Sequence, residues 1–149
     1  MSFHLHKAAP NYFRHLLHGP DAARRFDTQF DAFYYCLLIG LDRRRLGAPE
    51  EIGDEFVRDY VQAFQPHAPT IAGLLVDAEL DRANIGRDDV KAVEKRIVEL
   101  LEVSSSMLSG EGLRLLNQYA AGGFVILRDA LASPPQNLEE FLIAYHQLW

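Results

Sequence analysis

The segment between Thr28 and Arg44 is the sequence feature that most constrains the fold. Its apolar residues recur at steps of three and four positions, the spacing of one face of an α-helix: Phe30, Phe33, Tyr34, Leu37, Leu38 and Leu41. Tyr35, Cys36 and Ile39 make the opposite face apolar as well. A helix that is apolar almost all round is buried on every side, by its own domain or by a partner. We therefore predict a central helix from Thr28 to Arg44.

Similar apolar stripes, separated by glycine and proline, run through the rest of the chain. They predict further helices at about residues 11–18, 54–64, 70–84, 88–103, 109–131 and 137–149. No run alternates apolar and polar residues as a half-buried strand would, so no sheet is expected. The sequence predicts a single all-α domain over residues 1–149, a compact bundle of about six to seven short helices.

Two adjacent glycines leave the course of the sixth helix open. The apolar stripe of residues 109–131 continues through Gly122 and Gly123, which favours one helix, with or without a kink at the two glycines. Because each glycine costs about 1 kcal/mol of helix propensity, a break or a short strand at residues 124–127 is the alternative. The small residues from Ala120 to Gly123 would let another backbone approach closely.

Composition excludes several classes of protein. The net charge of −6 and the pI near 5.4 argue against a general nucleic-acid coat, which needs a basic surface. No apolar run reaches the ~18 residues of a membrane span, and residues 1–4 lack the layout of a signal peptide. The single cysteine, Cys36, does not suggest a disulfide-built secreted domain. We expect a cytoplasmic protein without membrane attachment.

Candidate reactive residues are few and scattered. His15 and His18 would share a helical face, but no nearby carboxylate or thiol completes a metal site, so no metal or cofactor is predicted. Cys36 lies among bulky apolar residues, where burial makes a thiol inert. The acidic residues at 50–55 and at 77–81 are interpreted as helix-start and solvated-face charges. We expect no catalytic residue; an enzyme with a site assembled from scattered residues is the least favoured alternative.

Two residue sets are candidates for binding. Aromatic and apolar residues of the second and last helices are predicted to contact a partner protein, because Tyr and Trp are preferred interface anchors. They are Tyr35, Ile39, Phe141, Tyr145 and Trp149. Arginines that flank the second helix are predicted to contact an anion or nucleic acid. They are Arg24, Arg25, Arg43, Arg44 and Arg45.

Two stretches carry a resemblance to known proteins. Residues 26–41 and the later Leu108-Ser109-Gly110-Glu111-Gly112-Leu113 resemble small helical proteins encoded beside bacterial DNA-modification and anti-phage defence genes. The resemblance implies a partner-dependent accessory role and assigns no functional residue. The sequence thus favours a non-catalytic interaction subunit of a bacterial multi-protein complex, bound to a partner protein or to copies of itself. A small nucleic-acid-binding or regulatory protein using an arginine patch is the alternative.

Overall fold

The computed structural model describes residues 2–149, which are 61% helical and contain seven α-helices and one two-stranded sheet. The helices are α1 (Ala9–Tyr12), α2 (Arg14–His18), α3 (Gln29–Asp42), α4 (Ala68–Arg82), α5 (Val90–Leu100), α6 (Gly110–Ala130) and α7 (Leu138–His146). The strands are β1 (Phe3–His6) and β2 (Ile52–Val57). Short 3₁₀ helices cover Ala22–Arg24, Pro49–Glu51 and Gln62–His67. Most of the buried apolar side chains form one continuous core.

The helices α3 and α6 form the central pair of the fold. The polar residue that the sequence predicts as the N-cap stands directly before each helix. The Thr28 amide donates to the Asp31 carboxylate at 2.8 Å, and Ser109 Oγ accepts from the Gly112 amide at 3.0 Å. Fourteen of the residues of α6 are buried, as are eight of α3. The prediction of a central helix after Thr28 is therefore confirmed.

Small residues let the backbones of α3 and α6 approach closely. A Cβ atom at Gly40 would overlap the carbonyl oxygen of Tyr119, and one at Gly123 would overlap that of Cys36. Helix α6 continues without interruption through Gly122 and Gly123. The single-helix prediction is confirmed, and the alternative of a strand at residues 124–127 is wrong. The small residues from Ala120 to Gly123 therefore pack against other segments of the same chain.

The small antiparallel sheet corrects the all-α prediction. Residues 54–64 do not form the predicted helix, because residues 52–57 pair with β1 in the register Phe3↔Val57, His4↔Glu55 and His6↔Ile52. The apolar residues of this stripe instead pack on the core from β2, from the 3₁₀ helix Gln62–His67 and from the residues between them. Phe56 and Phe64, for example, both pack on the ring of Phe30.

The remaining helices lie close to their predicted positions. The predicted helix at residues 11–18 starts earlier and is divided at Phe13 into α1 and α2. Helix α5 stops at Leu100, because the next residue, Leu101, forms a β-bridge with Leu108. Within residues 2–149, no helix combines the length and the apolar composition that crossing a bilayer requires.

Candidate functional site

Three aromatic rings form a continuous row across α3 and α7. The ring centroids of Tyr35 and Tyr145 are 4.9 Å apart, and those of Tyr145 and Trp149 are 5.9 Å apart. The Tyr145 hydroxyl donates to the Tyr35 carbonyl at 2.9 Å, which fixes α7 against α3. We call Tyr35, Tyr145 and Trp149 the aromatic row. It leads from the core to the surface, where Trp149 is 56% exposed.

Only part of the predicted partner-binding set reaches solvent. Ile39 and Phe141 have no exposed surface and Tyr145 is nearly buried, so these three side chains fill the chain's own core. Tyr35 is half-buried. Sequence reasoning missed Ile143, which is 64% exposed on α7. Its position outside the buried stripe of that helix was the available signal.

The arginines that precede α3 bind groups of the chain itself. Arg24 pairs with Glu139 of α7, with 3.1 Å between Nη2 and Oε2. Arg25 donates to the carbonyl of Gly19 at 2.8 Å. These contacts attach the segment before α3 to its neighbours, and they occupy donors that an anion would need.

The arginines that follow α3 are also largely engaged. Arg43 donates to the Leu148 carbonyl at 2.6 Å, and Arg44 contacts Asp77 at 3.0 Å and Asp81 at 2.5 Å. Arg45 is exposed and has no side-chain hydrogen bond or ion pair within residues 2–149. The two predicted arginine sets are therefore not clusters of uncommitted cations.

A buried carboxylate joins three helices, although sequence reasoning placed it on a solvated face. Glu79 of α4 has no exposed surface. It accepts from Arg82 at 2.7 and 2.8 Å, from Arg96 of α5 at 2.5 Å and from the Tyr119 hydroxyl of α6 at 2.5 Å. Burial by itself would raise the pKa of Glu79, but these donors outweigh it and hold the pKa at about 2. The arrangement neutralises Glu79 and leaves it no free position for a substrate.

A histidine and a glutamate meet where β1 ends. His6 is 3% exposed, and its Nε2 lies 3.2 Å from Glu51 Oε2. Its Nδ1 accepts the amide hydrogen of Ala8 at 3.0 Å, and its ring packs on Phe124 of α6. Burial lowers the pKa of His6 in spite of Glu51. Both ring nitrogens are engaged, so the pair acts as a tie between segments.

A groove of about 480 Å³ lies between the sheet and the first half of α6. Leu113, Ile52 and Pro49 form its apolar part. The side chain of Asn117 accepts from the His4 amide at 3.0 Å and donates to the Ser2 carbonyl at 2.9 Å, as a neighbouring strand would. Asn117 thus covers the outer edge of β1, a role that local sequence patterns do not reveal.

Three further residues singled out in the sequence as candidates for chemistry are Cys36, His15 and His18. Cys36 is fully buried, and burial raises the pKa of its thiol, so the reactive thiolate is not populated near neutral pH. His15 and His18 gain no further ligand: across residues 2–149 no three His, Cys, Asp or Glu side chains are grouped to hold a metal ion. Comparison with protein-family models, curated proteins and solved structures finds no significant match to the chain.

Proposed function

We propose that the chain is a non-catalytic protein-binding subunit of a larger bacterial assembly. The observation that carries the proposal is the exposed end of the aromatic row, where a tryptophan supported by packed rings faces solvent. Tryptophan and tyrosine are the residues that most often dominate the binding energy of an interface. The resemblance of residues 26–41 to accessory proteins beside DNA-modification and anti-phage genes agrees with such a role.

The support is strongest at Trp149, because its ring is exposed to solvent and is also held in place by a neighbouring ring. Tyr145 holds one side of the ring, and Tyr145 is itself fixed by its hydrogen bond to Tyr35. A side chain that is ordered before binding loses less conformational entropy when a partner covers it. Ile143 of α7 adds a second exposed apolar side chain, and Trp149 follows the end of that helix.

The nucleic-acid alternative has weaker support. Four of the five arginines predicted to bind an anion donate to carboxylates or carbonyls of the chain itself. The net charge of −6 opposes phosphate binding further. We therefore place the partner contact at α7 and Trp149.

The proposal is tested by quantitative recovery of partners on the tagged chain from its native cells. The comparison is between the wild type, Trp149→Ala with Ile143→Asp, and the control Val98→Ala, which removes an apolar side chain that is 77% exposed on α5. We expect the control to retain the same partners and the α7 variant to lose them by about 30-fold or more, the effect of a hot-spot tryptophan.

Self-association is measured on the same proteins by light scattering. Loss of an oligomer in the α7 variant alone would identify a second copy of the chain as the partner. Equal recovery of every partner by folded wild-type and α7-variant proteins, with no change in mass, would contradict the proposal.

A further inference from the structure

We propose that His6 is an acid-sensitive latch. One added proton on His6 releases the corner between β1 and α1, which is residues 6–9, from the rest of the fold. The latch is a geometric arrangement of a buried imidazole between a donor and an acceptor. It does not depend on the proposed partner surface, which lies on α7.

The hydrogen bonds of His6 determine where its proton is. A backbone amide can only donate, so the Ala8 amide at 3.0 Å requires that Nδ1 carry no hydrogen. The hydrogen is therefore on Nε2, which donates to Glu51 Oε2. This neutral form satisfies both nitrogens of a side chain that is almost completely buried.

A second proton on the His6 ring can bind only at Nδ1, and the lone pair of Nδ1 already accepts from the Ala8 amide. Protonation of Nδ1 would direct its N–H at the N–H of Ala8, so two donors would face each other and the hydrogen bond would be lost. His4, two residues earlier, is oriented differently: its Nδ1 faces the carbonyl oxygen of Gly53 at 2.8 Å, which accepts a hydrogen. The conflict is therefore a property of the His6 position.

The charged groups around His6 act in both directions. Glu51 favours the imidazolium, whereas Arg128 of α6 and the adjacent Lys7 oppose it. Glu51 is itself fixed, because its second oxygen, Oε1, accepts from the amide of Ala48 at 2.7 Å. Burial against Phe124 opposes the charge most strongly and lowers the pKa of His6. The neutral form is thus the one that the folded corner holds.

His6 is also well placed to transmit its change of charge. Its contacts join the turn before α1 at Ala8, the 3₁₀ helix at Glu51 and α6 at Phe124. The backbone adds one more tie in the same place, from the Lys7 amide to the Glu51 carbonyl at 2.8 Å. Losing the central tie loosens the segment that carries β1 and α1.

The expected pH dependence follows from the sign of linkage. The unfolded chain binds the proton near pH 6.5, and the folded chain binds it only at lower pH. Stability is therefore lost as the pH falls below about 6.5, by up to about tenfold in the folding equilibrium constant per pH unit. The loss continues until the folded protein takes up the proton.

The test compares the wild type with His6→Asn, whose side-chain oxygen can still accept from Ala8 but cannot gain a proton. His18→Asn is the control, because His18 is exposed. Denaturant unfolding from pH 8 to pH 5 should show a steeper loss of stability in the wild type and the control than in His6→Asn. Hydrogen exchange should show that the Ala8 amide loses at least tenfold of its protection over this range in the wild type and in His18→Asn, but not in His6→Asn.

Titration of the His6 ring by nuclear magnetic resonance in the unmodified protein decides the matter if the variant does not fold. We expect the Nε2–H form at neutral pH and a midpoint below 6.5. A midpoint at or above 6.5, an Nδ1–H form, or unchanged protection at Ala8 would overturn the proposal.

Discussion

The carbonyl oxygen of Cys36 in α3 occupies the position that a Cβ atom on Gly123 of α6 would need. The same relationship holds in reverse at Gly40, which faces the carbonyl of Tyr119. Glycines on both helices thus bring the two backbones into direct contact. Any side chain at Gly123 must push the central helices apart.

Replacing Gly123 with alanine should therefore destabilise the protein although alanine is the better helix former. We expect a loss of about 1–3 kcal/mol or more, because the new methyl group meets backbone that cannot move aside. Gly73→Ala is the matched control: Gly73 lies inside α4 with nothing near its missing Cβ, so alanine should add up to about 1 kcal/mol. Denaturant unfolding measures the change in the free energy of unfolding for both variants. A Gly123→Ala protein as stable as the wild type would refute the close-contact argument.

Features that depend on neighbouring residues in the sequence were predictable, and features that depend on distant residues were not. The apolar repeat and the starting residues of α3 and α6 are local, and both helices were predicted. Strand β2 forms because residues about 50 positions away pair with it, and its own residues give no alternation. The burial of Glu79 likewise requires Arg96 and Tyr119, which lie 17 and 40 positions further along the chain.

The candidate site shows the same division. Trp149 and Tyr35 are predicted to contact a partner from residue type, because Tyr and Trp are preferred interface anchors, and both side chains retain exposed surface. Ile39 was placed in the same set because α3 is apolar all round, yet periodicity cannot tell whether the chain itself or a partner covers such a helix. The structure places Ile39 inside the core.

Removing the buried carboxylate at position 79 should be costly. Glu79→Ala leaves the cations of Arg82 and Arg96 without their shared partner, and breaking such a buried pair costs about 3–5 kcal/mol. Tyr119→Phe removes a single hydroxyl donor and should cost about 1–3 kcal/mol. Glu111→Ala is a suitable control, since Glu111 pairs with Arg114 at the surface. Equal unfolding midpoints for Glu79→Ala and Glu111→Ala would contradict the assignment.

Glu79 should also contribute to acid sensitivity. Its pKa is about 2 in the folded protein and near 4.5 when unfolded. The stabilisation is thus complete above about pH 4.5 and is lost as the pH falls toward 2. Tyr119→Phe removes one of the donors that lower this pKa, so its stability should fall less steeply between pH 4.5 and 2 than that of the wild type. Parallel curves of unfolding free energy against pH would show that the Tyr119 hydroxyl does not lower the pKa of Glu79.

The ion pairs of Arg44 should add little to stability in spite of their short distances. Arg44, Asp77, Asp81 and Arg87 form a partly exposed network that connects the end of α3 to α4 and to the turn after it. Exposed pairs typically contribute between 0 and about 1 kcal/mol and are screened by salt. A double-mutant cycle of Arg44→Ala and Asp81→Ala should give a coupling in that range at low salt and a smaller one at 1 M salt. A coupling as large as that of a buried ion pair, and unchanged at 1 M salt, would contradict this expectation.

Truncation of Phe141 and truncation of Trp149 should differ greatly in how much they destabilise the protein. Phe141 is fully buried between Phe13, Phe26 and Tyr35, so Phe141→Ala should cost about 3–5 kcal/mol of stability. Trp149 contacts Tyr145 on one side and is otherwise largely exposed, so Trp149→Ala should change stability by less than about 1 kcal/mol. Thermal unfolding of the two variants separates a core residue from a surface residue. A large loss in Trp149→Ala would mean that this ring serves the fold, and the partner-binding proposal would then lose its main support.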